Sequence, residues 1–71
     1  MSEYERLDLR IKHLTKVEAE YRTTIKRAQH DMRDEPEKKT RYERVVKKYQ
    51  RKIDKLIPKV RRLRELRTRL R

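Results

Sequence analysis

Cysteine is absent from the 71-residue sequence, which excludes disulfide staples and thiolate metal sites and leaves the redox compartment unmarked. Glycine is absent too, so there is no glycine-rich loop to cradle a phosphate and little material for tight hairpin turns between strands. Tryptophan and phenylalanine are missing, and no apolar run is long enough for a signal peptide or a membrane span. These absences lead to the expectation of a soluble protein, cytoplasmic or nucleoid-associated, or carried in a virion.

Catalytic equipment is equally thin. Ser2 is the only serine. His13 and His30 fall 17 residues apart on what reads as one helix, so they would stand about 25 Å apart and cannot share a metal ion. Glu18 and Glu20 do not line a concave pocket in a rod of two helices. The sequence therefore predicts no enzyme activity, no cofactor, no metal site and no small-molecule substrate.

What the chain does contain is charge and a heptad pattern. Half of its residues, 51%, are charged and 32% are hydrophobic, a balance found in long helices and coiled coils. Apolar residues stand at 4, 7, 11, 14, 21, 25, 28 and 32, with Glu18 in the vacant slot, and again at 42, 46, 49, 53, 56, 60, 63 and 70, with Arg67 in the vacant slot. Spacings of three and four mark one stripe per helix. Helix 1 is expected over about residues 3–33, begun by the capping pair Ser2 and Glu5. Helix 2 is expected over about 41–70, with Thr40 and Glu43 as a second capping pair, or Asp34 or Glu35 as a cap if it begins near Pro36. Pro36 lacks an amide proton and disfavours a helical Glu35, which places the turn in about residues 34–40.

A turn centred near residue 37 aligns the two stripes throughout. Tyr4 then faces Leu70, Ile11 faces Leu63, Leu14 faces Val60, Tyr21 faces Ile53, Ile25 faces Tyr49, Ala28 faces Val46 and Met32 faces Tyr42, so seven of nine layers are apolar on both sides. The fold class is thus all-α: a single domain over 1–71, formed by an antiparallel two-helix coiled-coil hairpin. Arg67 opposite Leu7 interrupts the seam and is expected to loosen the open end, and Asp8 is placed to pair with Arg64 across it. Pro58 falls on the outer face of helix 2, where a kink is expected rather than a break, because the heptad continues beyond it. Val17, Val45, Ile57 and Leu66 flank the seam and are candidates for an oligomer or partner interface, most simply a homodimeric four-helix bundle or a place in a larger assembly.

The net charge of +12 is distributed unequally. Residues 1–35 carry eight basic and eight acidic side chains, whereas residues 36–71 carry sixteen basic and four acidic ones. Arg41, Lys48, Lys55, Arg62 and Arg69 recur every seven residues as a column of cations, flanked by Arg44, Lys47, Arg51 and Arg61 and relieved only by Asp54 and Glu65. A rod with such a column matches a phosphate backbone in charge and length. These nine residues are the candidate nucleic-acid contacts, and the expected function is sequence-independent binding of DNA or RNA phosphates, as in a nucleoid or viral packaging protein. Base stacking is disfavoured because Tyr4, Tyr21, Tyr42 and Tyr49 all fall on seam positions, where hydroxyls reach the edge. A membrane surface is disfavoured by the lack of tryptophan and phenylalanine. The alternative is a structural or adaptor coiled coil that assembles proteins.

Overall fold

The computed structural model describes residues 1–70. Two long helices, α1 (Glu3–Asp34) and α2 (Lys39–Arg69), pack against each other as a hairpin, joined by a single 3-10 turn at Pro36–Lys38. The result is a rod of 52 × 17 × 13 Å with a radius of gyration of 16.2 Å, against about 11 Å for a compact domain of this length. No second layer covers the helices, so every outward-facing residue is on the surface.

Helix α1 starts as its sequence suggests. Ser2 is extended (φ −73°, ψ 162°) and its Oγ accepts the Glu5 amide at 3.1 Å. Glu3 and Glu5 add carboxylates to the positive end of the helix dipole. At the other end the Glu35 amide donates to the Asp31 carbonyl at 2.8 Å, and Pro36 then stops the helix.

The start of α2 differs from expectation. Thr40 and Glu43 do not cap it; the helix already runs from Lys39, with Lys38 at the N-cap and no side-chain cap bond. The reason is the 3-10 turn seeded by Pro36. Its backbone satisfies the amides a cap would have served, with Lys38 N–H donating to the Glu35 carbonyl at 3.0 Å and Lys39 N–H to Pro36. Glu43 is left to approach Lys39 at 3.8 Å, while Lys38 Nζ meets Glu35 Oε2 at 2.8 Å and ties the turn to the end of α1.

Ile11, Ala28, Ile53, Leu56 and Val60 form the buried core, and all five are heptad seam residues. Ile53 is the most deeply enclosed, at 1% exposure. All four tyrosines are half-buried along the same seam. Tyr21 and Tyr49 touch with ring centroids 5.5 Å apart, a diagonal contact one turn from the Tyr21–Ile53 layer. Such a tilted aromatic pair is worth about 0.5–1.5 kcal/mol beyond its buried area. Helix α2 continues through Pro58, which is exposed on the outer side.

A correction concerns the open end of the hairpin. Asp8 pairs with Arg67 rather than Arg64: Arg67 Nη1 donates to Asp8 Oδ1 at 2.7 Å, with both side chains about one-quarter exposed. The Arg67 stem occupies the seam slot while its guanidinium reaches the polar edge, as long cationic side chains do. Arg64, further out, is exposed. Arg67 therefore fastens the open end instead of loosening it, as the one ion pair linking α1 to α2 among the described residues.

Removing the Ile53 side chain beyond Cβ leaves a cavity at the centre of a narrow core. Ile53→Ala should lower stability by about 2–5 kcal/mol in urea denaturation followed by helical circular dichroism, whereas Leu9→Ala, at a site 52% exposed, should change it by less than about 0.5 kcal/mol.

Candidate nucleic-acid interface

The seam dictates what faces water. Because α2 turns its d and a residues inward, its c, b and f positions point away from α1, and there the cations lie. Arg41, Arg44, Lys47, Lys48, Arg51, Lys55, Arg61, Arg62 and Arg69 are all exposed. At about 1.5 Å per residue the Arg41–Arg69 column runs along about 42 Å of helix.

How each half of the chain uses its carboxylates separates the two helices. In α1, Asp8 binds Lys12 Nζ at 3.0 Å and Glu18 binds Arg22 Nε at 3.1 Å, in a half of the chain whose acidic and basic side chains are equal in number. In α2 the corresponding acids are few. Asp54 accepts a hydrogen bond from Gln50 at 3.0 Å, and Glu43 is near Lys39. Among the described residues, none of the nine candidate cations forms an ion pair. Their charge is turned outward, with Arg41 also adding to the field by which Lys38 lowers the Glu35 carboxyl.

The cations are not evenly spread. Arg44, Lys47, Lys48, Arg51, Lys52 and Lys55 surround a shallow depression of about 410 Å³ with no carboxylate in its lining. Five of these belong to the set expected from sequence. Lys52 does not, because its heptad position lies beside the seam rather than on the outer column. Its Nζ sits 4.9 Å from the Tyr49 ring centroid and 5.5 Å from that of Tyr21. A lysine three residues after a seam tyrosine was the available signal. Arg61 lies elsewhere, lining a groove with Thr15, Glu18 and Ile57, and Arg62 lines another with Arg10, Lys59, Leu63 and Leu66.

The four candidate interface residues are not gathered into one patch. Val17, Val45 and Ile57 are half-buried by the hairpin itself, and Leu66 is 38% exposed. Ile57 and Leu66 line different grooves, on opposite flanks of the seam.

Among the described residues no helix is long and apolar enough to cross a membrane, and no cluster of three metal-ligating side chains occurs. The fold and surface define a basic helical hairpin. No protein-family model matches the chain, and no curated protein or solved structure matches it.

The Asp8 carboxyl is held below its ordinary value near 3.8, first by its hydrogen bond to Lys12 and then by that to Arg67. Glu35 is lowered in the same way, chiefly by Lys38. A depressed folded value means that the unfolded chain binds more protons in acid; the stabilisation is complete above the ordinary carboxylate range and disappears as pH falls through the folded value. Asp8→Asn should therefore shrink the loss of melting temperature between pH 5 and pH 2, as read by circular dichroism; an unchanged acid limb would remove Asp8 from that role.

Proposed function

We propose that the protein binds nucleic acid without base recognition, holding the phosphate backbone along the outer face of α2. The observation that carries this reading is the set of nine exposed α2 cations with no ion-pair partner among the described residues, in a half of the chain with sixteen basic and four acidic side chains, whereas residues 1–35 have eight of each. Like charges aligned at this density repel one another and oppose folding, and a polyanion relieves that repulsion as it binds. Arginine adds forked hydrogen bonds to phosphate oxygens. The half-buried tyrosines leave little aromatic surface for base stacking, in keeping with a contact made to the backbone.

A second copy forms part of the proposal. Five buried side chains are a small core for a free-standing chain, and Leu9 and Leu66 are left exposed at 52% and 38%. Pairing two hairpins would cover such residues and place two cation columns on one particle. The protein would then act as a nucleoid or packaging component rather than as an enzyme.

Affinity for generic duplex should fall steeply with salt, with a log–log slope of about −5 if five or six phosphates are contacted. Replacing Lys48, Lys55 and Arg62 together by glutamate should flatten the slope and leave the helical spectrum intact. Unaltered binding by that variant, or a tight protein partner that ignores salt and is lost on Leu66→Asp, would replace this reading with the adaptor one. Sedimentation of the free protein should give twice the chain mass of 9.0 kDa; a persistent monomer would limit the proposal to the single hairpin.

A further inference from the structure

Lys52 joins two features that the sequence keeps apart. It lines the depression formed with Arg44, Lys47, Lys48, Arg51 and Lys55, and its ammonium rests over the Tyr21 and Tyr49 rings. Lysine is ordinarily the least ordered of cations, a point charge on a stem with four rotatable bonds, and fixing it on an anion costs rotamer entropy. Here the electron-rich faces of two rings already restrict it, and those rings are themselves clamped by seam packing at a 57° tilt. The ammonium is thus pre-positioned at the edge of a cluster of six cations with no carboxylate in its lining. Residues 44–55 extend about 17 Å along the helix axis, long enough to face several phosphates of one nucleic-acid strand.

We propose that residues 44–55 form the principal site for a run of contiguous phosphates, and that Lys52 is one of its ligands, positioned by the Tyr21–Tyr49 pair. The site needs a chain of phosphates rather than a base, so free polyphosphate and a nucleic-acid backbone share the required chemistry. Its natural ligand rests on the nucleic-acid reading given above; its existence does not. Arg61, Arg62 and Arg69 act as auxiliary contacts; Arg61 and Arg62 lie in separate grooves where acidic or apolar residues dilute the field.

The test uses the full chain with two probes, sodium tripolyphosphate and a fluorescein-labelled 16-base-pair duplex. Lys52→Gln should weaken tripolyphosphate binding by about three- to tenfold. Lys52→Arg, which keeps both the charge and the affinity for aromatic faces, should restore it. For the duplex, Lys52→Gln should flatten the salt slope by about 1. Tyr49→Leu should reduce affinity by about two- to fivefold with the slope unchanged, because it removes positioning and not charge, whereas Tyr49→Phe should bind normally. The free protein should show the Lys52 ε-methylene protons shifted upfield by the ring currents, a readout that needs no variant.

Normal tripolyphosphate binding by Lys52→Gln would overturn the proposal, as would a larger loss when Arg61, Arg62 and Arg69 are changed together to Gln. Unshifted ε-methylene protons would remove the tyrosine cradle. If tripolyphosphate binding depends on Lys52 but the duplex is not bound, the site stands and the nucleic-acid reading falls. If the duplex binds with a steep slope that Lys52→Gln leaves untouched, the reading stands and this inference falls.

Discussion

A two-helix seam can cover only one stripe of each helix, and everything else about this molecule depends on that constraint. The covered stripe takes Ile11, Ala28, Ile53, Leu56 and Val60 and leaves the rest of the rod to water. With no cysteine the chain has no disulfide to brace the pair, and the two helices have only each other to pack against. The hairpin must therefore place its charges outside, and the identity of each surface is decided by which heptad position a residue holds. Pro36 supplies the other half of the constraint by fixing where the stripe folds back on itself.

That geometry also explains why the two helices have different characters. Residues 1–35 carry as many acids as cations, and two of the acids bind cations four residues on, Asp8 with Lys12 and Glu18 with Arg22. Such exposed pairs contribute little to stability, but they leave a surface with weak net field. In α2 the column Arg41, Lys48, Lys55, Arg62 and Arg69 is interrupted by no acid, and Glu43, Asp54 and Glu65 are too few to balance the cations around it, so the field accumulates along one side. Asp8 serves both helices at once, since it holds Lys12 and reaches across to Arg67 at the open end. Losing that carboxylate to protonation would release an end of the hairpin that has no other charged tie between the helices among the described residues.

The hairpin was legible because its signals are long and mutually consistent. Nine layers repeat one spacing, and Pro36 lies where both stripes come into register. The start of α2 was legible only as two alternatives: the helical turn begins at Pro36 with Glu35 in the N-cap position but no side-chain cap bond, and it makes the locally convincing Thr40–Glu43 cap unnecessary. Asp8 illustrates a different limit. Heptad position assigns a layer but cannot choose between Arg64 and Arg67, which lie one turn apart and can both reach; the choice depends on how an arginine stem fills a vacant seam slot. Lys52 was missed for a related reason, since counting outward columns overlooks a side chain that lies beside the seam and folds over its aromatic rings.

The central claim is that the outer face of α2 is self-repelling and awaits a polyanion. Thermal melting of the free protein as sodium chloride is raised from low to moderate concentration tests this most directly, because screening relieves repulsion and weakens attraction. The account predicts that the melting temperature climbs with salt, the relief along α2 outweighing the loss of the Asp8 and Glu18 pairs. A melting temperature that stays level or falls would mean that the cations are already balanced within the protein, and the case for a phosphate partner would lose its physical basis.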